Sequence, residues 1–95
     1  MGKKNILVVD DDETILMNFE FQLESEGYAV DTAESGEVAI EILNKSSSYD
    51  LVITDLRMYG ESGVDVIKRV MEVNASIPVM IMSGFGDDSP MFQEA

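Results

Sequence analysis

Short apolar runs and longer amphipathic segments alternate along the chain. These short segments, which are largely but not entirely apolar, cover residues 5–9, 28–32 (YAVDT), 50–54 (DLVIT) and 77–82. The first run is uniformly apolar and rich in β-branched residues, which is typical of a strand that is covered on both faces. The four runs are therefore predicted to form four strands.

Between these runs, apolar residues recur with the period of an α-helix. The first helix is predicted over Glu13–Glu26. The second opens at 35–37 and ends before the polar loop 44–48, and the third covers about 63–73. The residues predicted to face the core are Ile15, Leu16, Phe19 and Leu23, then Val38, Ala39, Ile42 and Leu43, then Ile67, Val70 and Met71. Strand–helix alternation with apolar strands predicts an α/β fold with a doubly wound parallel sheet and right-handed connections.

Composition narrows the class of protein. A chain of 95 residues is predicted to be one domain, residues 1–95. Its 19 acidic and 6 basic residues give a net charge of -13, which disfavours direct binding to nucleic acid or to an anionic membrane surface. Cysteine is absent, and no apolar run approaches the ~20 residues that span a bilayer, so a cytoplasmic location is expected. Histidine is absent too, so chemistry based on histidine would have to come from a partner.

Polar residues follow the ends of three predicted strands. Asp10 and Asp11 follow the first strand, Asp55 the third and Ser83 the fourth. In an open parallel sheet the carboxyl ends of the strands meet at one edge, where ligands bind, so these side chains are expected to share a cleft. Three carboxylates there are hard oxygen ligands suited to Mg²⁺ or Mn²⁺, and a cation would relieve their mutual repulsion. The competing interpretation of such an acid run is an ordinary helix N-cap in a solvated turn.

These motifs resemble the response-regulator receiver domain of two-component signalling. An apolar strand runs into the acid pair Asp10 and Asp11, and Asp55 ends a strand in the sequence DLVITDLRM. Gly63 follows at the family's spacing, and Ser83 closes the strand that ends in IMSG. The resemblance covers essentially the whole chain. It implies a flavodoxin-like (CheY-like) sheet of order 2-1-3-4, in a protein that is a signalling acceptor rather than an enzyme.

The resemblance also implies a role for each site residue. Asp55 would accept the phosphoryl group, as a carboxylate can when its oxygens' charge is neutralised. Asp11 would bind Mg²⁺ directly, Asp10 would shape the water shell of the metal, and the backbone carbonyl of Arg57 would complete the coordination. The Ser83 hydroxyl would hydrogen-bond the phosphoryl group and act as a switch. The donor would be a phosphohistidine of a sensor histidine kinase or a histidine phosphotransfer protein.

The resemblance further implies a partner surface, and two features depart from the family. Met17 and Phe21, an apolar pair nearly opposite the predicted core face of the first helix, are the candidate contact for the phosphohistidine partner. Tyr59 stands where the family usually has Pro. The sequence reaches Ala95 before the family's fifth strand, its last helix and the Lys that normally contacts the phosphoryl group. The domain is therefore expected to be C-terminally short, with Ile77–Met82 as an exposed edge open to self-association.

Two other functions remain open at this point. The spacing Asp10-x-Asp12-x-Thr14 after an apolar strand fits the nucleophile motif of haloacid-dehalogenase-like phosphatases, in which Asp10 would be the nucleophile and Asp12 the general acid. This alternative leaves Asp55 unexplained. The other is a receiver-like module that binds a partner without being phosphorylated. Under the receiver interpretation, Asp12 and Glu13 favour the first turn of the following helix through its dipole.

Overall fold

The described part of the computed structural model comprises residues 3–46, 48–55, 63–82 and 93–94. Within it, three helices alternate with four strands, and a two-residue strand follows them. The elements are β1 (Asn5–Val9), α1 (Glu13–Ser25), β2 (Ala29–Ala33), α2 (Gly36–Lys45), β3 (Leu51–Asp55), α3 (Gly63–Val73), β4 (Val79–Met82) and β5 (Gln93–Glu94). Each predicted strand and helix is present, with bounds that differ from the prediction by at most two residues.

The sheet has the strand order β2-β1-β3-β4-β5, and its first four strands are parallel. This confirms the predicted doubly wound sheet with the parallel order 2-1-3-4. Val9 of β1 pairs in register with Ala33 of β2 and with Thr54 of β3, and Asp55 pairs with Met82 of β4. The carboxyl ends of these four strands therefore lie level at one edge, where parallel sheets bind their ligands.

Alternate residues of β1 enter two separate hydrophobic layers. Ile6 and Val8 belong to the layer beneath α1, whereas Leu7 and Val9 belong to the layer beneath α2 and α3. All four side chains are at most 3% exposed. Because helices cover both faces of this strand, β1 is apolar at every position from Ile6 to Val9 instead of alternating between apolar and polar residues.

The helices bury a narrower stripe than the apolar pattern predicted. The predicted core residues that prove wrong are Ile15, which is 37% exposed, Val38 at 40% and Met71 at 61%. Each of them lies one position away from a buried residue of the same helix, and one position along a helix is a rotation of about 100°. Because the sheet contacts only one side of each helix, an apolar residue at the flank of the stripe stays partly in water.

Helix α1 ends in a turn that requires Gly27. This glycine has a φ of 98°, a left-handed conformation that residues with a side chain rarely adopt. Its amide donates to the Glu24 carbonyl (3.0 Å), and the Tyr28 amide donates to the Leu23 carbonyl (3.1 Å), so carbonyls at the helix end are satisfied as the chain turns towards β2. At 13 residues, α1 is the longest helix in the described ranges. None of the helices there is long and apolar enough to cross a membrane.

Strand β4 is shorter than predicted, and its outer edge is partly paired. The strand begins at Val79 instead of Ile77. The two-residue strand β5 runs antiparallel to β4 and pairs with Met80 and Ile81. The prediction that Ile77–Met82 forms an exposed edge is therefore wrong at Met80 and Ile81, because a later part of the chain pairs with the strand there. Self-association through this edge needs unpaired amides and carbonyls, so it loses its basis at these two residues.

Candidate functional site

Asp10 follows the last residue of β1 and remains tied to the sheet. Its amide donates to the Ala33 carbonyl at the end of β2 (3.1 Å), which carries the pairing one residue past β1. The Asp10 side chain is only 3% exposed. One of its carboxylate oxygens, Oδ1, accepts a hydrogen bond from the Asp12 amide at 2.8 Å. Asp10 is thus a buried acid whose backbone and side chain are each fixed by a hydrogen bond.

Asp12 is the N-cap of α1. Its side chain accepts from the Thr14 amide (2.9 Å), and its carbonyl accepts from the Leu16 amide (3.1 Å). For Asp12, the interpretation of the acid run as a helix cap is therefore right. Glu13 lies in the first turn of α1, where a negative charge favours the positive end of the helix dipole. The residues of the acid run therefore have different roles. Asp12 caps the helix, whereas the buried Asp10 lies at the edge of the sheet.

Asp55 is the last residue of β3 and lies beside Asp10. Val9 and Thr54 are register partners, so the residues that follow them occupy neighbouring positions at the ends of adjacent strands. Asp55 is 7% exposed and Thr54 is fully buried. The Thr54 hydroxyl donates to the Asp55 carbonyl at 3.0 Å. Two buried acids from separate parts of the sequence therefore meet at this edge.

The carboxylates of Asp10, Asp11 and Asp55 converge there into one acid cluster. One oxygen from each lies within 4.8 Å of the other two, and Asp11 is the exposed member of the three. At that separation and an effective dielectric constant of about 20, two full charges repel by about 3 kcal/mol. The three carboxylates that were expected to share a cleft thus lie together, close enough to repel one another.

Burial and repulsion both act on Asp10, whose pKa is raised from 3.8 to about 6. Burial is the largest cause, because it penalises the charged carboxylate. The hydrogen bond from the Asp12 amide lowers the pKa, whereas the charges of Asp55, Asp11 and Asp12 raise it further. At neutral pH the Asp10 carboxylate is therefore charged at an energetic cost that a nearby cation would reduce.

The acid cluster has the donor chemistry of a site for Mg²⁺ or Mn²⁺. Carboxylate oxygens are the hard ligands that these ions take. A divalent ion would lower the charge of the three ionised acids from -3 to -1. Mg²⁺ also tends to keep several of its waters and to bind only one or two carboxylates. An exposed Asp11 beside two buried acids suits that preference, because one side of the cluster is open to solvent.

The remaining predicted residues fall into two groups. Arg57, Tyr59 and Ser83 lie outside the described residues. Met17 and Phe21 lie on α1 and are 65% and 75% exposed. Their spacing of four residues places both side chains on one face of the helix. We call this pair the α1 patch.

The Asp12 amide is the contact at this site that the sequence reasoning missed. Asp side chains commonly accept a hydrogen bond from the amide two residues further on. That pattern occurs twice in succession here, from the Asp12 amide to Asp10 and from the Thr14 amide to Asp12. The spacing of Asp10, Asp12 and Thr14 was therefore a signal for two consecutive turns as well as for a phosphatase motif.

A separate cavity of about 390 Å³ lies at the amino-terminal ends of β1 and β3, away from the acid cluster. It is lined by Lys4, Ile6, Leu23, Tyr28, Asp50 and Leu51. The Asp50 side chain accepts from the Asn5 amide at 2.8 Å and so fastens the start of β3 to the start of β1. The cavity shares no residue with the acid cluster, so it adds nothing to the chemistry of that site.

Comparison with known proteins gives a family match over nearly the whole chain. The family described as response regulator receiver domain matches residues 6–95. The transcriptional regulatory protein GlrR of Escherichia coli K12 is 40% identical over 82 residues, which cover 86% of this chain and 18% of GlrR. The chain therefore spans only a small part of the length of that relative.

Solved structures share the fold. A response regulator receiver domain protein from Clostridium thermocellum has a TM-score of 0.81 and 39% identity, covering 88% of this chain and 68% of that one. The response regulator protein TrrA from Thermotoga maritima, crystallised in complex with Mg²⁺ and BeF, has a TM-score of 0.79 and 36% identity, covering 87% of this chain and 71% of TrrA. Both similarities agree with the parallel sheet order seen here.

Proposed function

This chain belongs to the response-regulator receiver family of two-component signalling, and on that premise we propose that Asp55 is its phosphoacceptor. The donor is a phosphohistidine on a sensor histidine kinase or on a histidine phosphotransfer protein. The acid cluster of Asp10, Asp11 and Asp55 holds Mg²⁺ or Mn²⁺. In this proposal the chain is a stoichiometric acceptor in a phosphorelay, and it has no separate substrate to turn over.

The convergence of the three carboxylates within 4.8 Å is the observation that carries the proposal. Asp55 comes from a different strand than the acid pair, and at 7% exposure it has lost most of the water that would stabilise its charge. Acids that are buried beside other acids are costly to ionise. A cation bound among them reduces that cost, which supports a metal at this end of the sheet.

The roles of the residues around the metal follow from the family resemblance. We assign Asp11 and Asp55 as direct ligands, Asp10 as the residue that orients water on the metal, and the carbonyl of Arg57 as a further ligand. When bound, the divalent ion supplies positive charge that neutralises the oxygens of the transferred phosphoryl group. The crystal structure of TrrA with Mg²⁺ and BeF supports the same class of metal for this chain.

Asp55 supplies the nucleophile in the transfer. A carboxylate oxygen of Asp55 attacks the phosphorus atom, and the phosphorus–nitrogen bond of the phosphohistidine breaks. The electron pair of that bond leaves with the imidazole, so the product on this chain is an acyl phosphate. Asp55 is held at the end of β3 between β1 and β4, which limits the direction from which the donor can approach. The Ser83 hydroxyl then donates a hydrogen bond to the phosphoryl group and reports its arrival.

The α1 patch provides the donor protein with a contact beside the acid cluster. Met17 lies about 8 Å and Phe21 about 14 Å along the helix axis from the cap at Asp12, at 1.5 Å per residue. Both side chains are more than half exposed, and they contribute little to the core. A partner can therefore cover this pair, on the helix that begins beside the acid cluster, without disturbing the packing of α1.

Phosphorylation by acetyl phosphate, followed by intact-mass measurement, tests the assignment of Asp55. The wild type should gain one phosphate when Mg²⁺ is present and none when it is chelated. The Asp55→Asn variant should gain none. Asp50→Asn is the matched control, because it changes an acid at the opposite end of β3 and keeps an acceptor for the Asn5 amide. It should be phosphorylated like the wild type.

The Asp10→Asn variant separates this proposal from the two alternatives. A phosphatase of the haloacid-dehalogenase type requires Asp10 as its nucleophile. Turnover of a generic phosphomonoester that is lost in Asp10→Asn and survives in Asp55→Asn would overturn the proposal. A wild type that binds a sensor kinase but gains no phosphate from either donor would favour the interaction module instead.

A further inference from the structure

Asp12 links the acid cluster to α1 through three hydrogen bonds. Its amide donates to Asp10 Oδ1 at 2.8 Å, its own Oδ1 accepts from the Thr14 amide at 2.9 Å, and its carbonyl accepts from the Leu16 amide at 3.1 Å. We infer that Asp12 is a positioning residue, which caps α1 and thereby holds the amide that orients the Asp10 carboxylate for the metal. The inference rests on the proposed function, because it concerns the same metal site.

The cap determines the direction in which the Asp12 amide points. Two of the three bonds come from the first turn of α1, and Asp12 has a φ of -100° and a ψ of 111° in this arrangement. Rotation about φ changes the angle between the amide and the rest of the residue. Without its side-chain bond, residue 12 can therefore turn its amide away from Asp10. Leu16, which is 4% exposed and packs in the layer beneath α1, anchors this turn to the sheet.

Asp10 needs such a restraint because its neighbours repel it. Asp11 and Asp55 each place a carboxylate oxygen within 4.8 Å of an Asp10 oxygen. The bond from the Asp12 amide to Oδ1 sets the plane of the Asp10 carboxylate against that repulsion. Groups that hold the side chains of a metal site in place, including those that act through water on the metal, typically change metal affinity by about 10- to 100-fold when they are removed. Loss of the Asp12 side-chain cap leaves the residue 12 amide in place and removes only the hydrogen bond that fixes its direction. We therefore expect a smaller change in metal affinity, of about 3- to 10-fold.

Three variants separate positioning from a simple effect of charge or of helix stability. Asp12→Ala removes both the cap and the charge. Asp12→Asn removes the charge but keeps a capping oxygen, because Asn caps helices about as well as Asp. Ser35→Ala is the matched control for the loss of a cap, since the Ser35 hydroxyl accepts from the Val38 amide at 3.2 Å and caps α2.

Titration calorimetry with Mn²⁺ on the full chain at neutral pH measures the effect. The Kd for Mn²⁺ should rise about 3- to 10-fold in Asp12→Ala and should stay within about twofold in Asp12→Asn and Ser35→Ala, since an exposed charge is screened. Equal weakening in Asp12→Ala and Asp12→Asn would overturn the inference in favour of charge. An unchanged Kd in Asp12→Ala, with a lower free energy of unfolding, would show a purely structural cap. Equal weakening in Ser35→Ala would attribute the effect to general destabilisation.

Hydrogen exchange of the residue 12 amide in the metal-free chain distinguishes failure of this inference from failure of the proposed function. The amide should be protected in the wild type and in Asp12→Asn, and it should exchange faster in Asp12→Ala. A wild type with this protection pattern that binds no Mn²⁺ would overturn the metal site, and the role of Asp12 there with it. Equal protection in all three proteins would overturn the inference even where Mn²⁺ binds.

Discussion

Replacing Asp10 with Asn should raise the free energy of unfolding at neutral pH when no metal is present. The Asp10 side chain is 3% exposed, and burial is the chief reason why its pKa is raised from 3.8 to about 6. At about 1.4 kcal/mol per pKa unit, ionised Asp10 costs the native state about 3 kcal/mol. Asparagine carries no charge and keeps an oxygen that accepts from the Asp12 amide. Most of that cost should therefore disappear in Asp10→Asn.

The contribution of Asp10 to the free energy of unfolding changes with pH in a definite direction. The native state binds the Asp10 proton more tightly than the unfolded chain does. Protonation of Asp10 therefore stabilises the native state. This contribution is fully present below pH 3.8 and is lost as the pH rises through about 6. The difference in unfolding free energy between Asp10→Asn and the wild type should be small near pH 4. It should grow by at most about 1.4 kcal/mol per pH unit and level off at about 2–3 kcal/mol above pH 6.

Urea unfolding across this pH range, with a chelator present, measures the difference. The subtraction of the two proteins removes the titration that their other acids share. Glu41→Gln is the control, because it neutralises an exposed acid on α2 that is not part of the acid cluster, and its difference from the wild type should stay nearly flat. A flat difference for Asp10→Asn as well would refute the reasoning. So would a less stable Asp10→Asn at neutral pH, which would mean that the charged hydrogen bond to Asp12 outweighs the cost of burial.

Three further predictions concern the metal, a buried hydrogen bond and the partner surface. Millimolar Mg²⁺ should raise the melting temperature of the wild type by mass action, and Asp11→Asn should remove most of that rise; an undiminished rise would place the metal elsewhere. Tyr49→Phe should lose about 1–2 kcal/mol in urea unfolding, because the 8% exposed Tyr49 donates a 2.6 Å hydrogen bond to Asp31. No measurable loss would show that a hydrogen bond from water stabilises Asp31 as much as the one from the Tyr49 hydroxyl does. Met17→Ser combined with Phe21→Ser should change stability by less than about 0.5 kcal/mol and should slow phosphorylation by a sensor kinase but not by acetyl phosphate. Equal slowing with both donors would contradict a docking role.

The sequence by itself determined the order of the elements and the location of the acid cluster. Strands and helices follow from the local spacing of apolar residues, which depends only on near neighbours in the chain. Asp10 and Asp11 are the two residues that follow β1, and Asp55 is the last residue of β3. Because parallel strands joined by helical crossovers end at the same edge, those positions were sufficient to predict that the three acids meet.

Only the tertiary structure decided which groups are buried and which hydrogen bonds hold the site. The exposure of Ile15 and Met71, burial as the main cause of the raised pKa of Asp10, the bond from the Asp12 amide and the return of β5 to β4 were not predicted. Burial depends on how much water the packed surfaces exclude, and a pKa depends on distances between charges that the fold brings together. Neither quantity is contained in a local pattern of residues, because both arise from contacts between segments that are far apart in the chain.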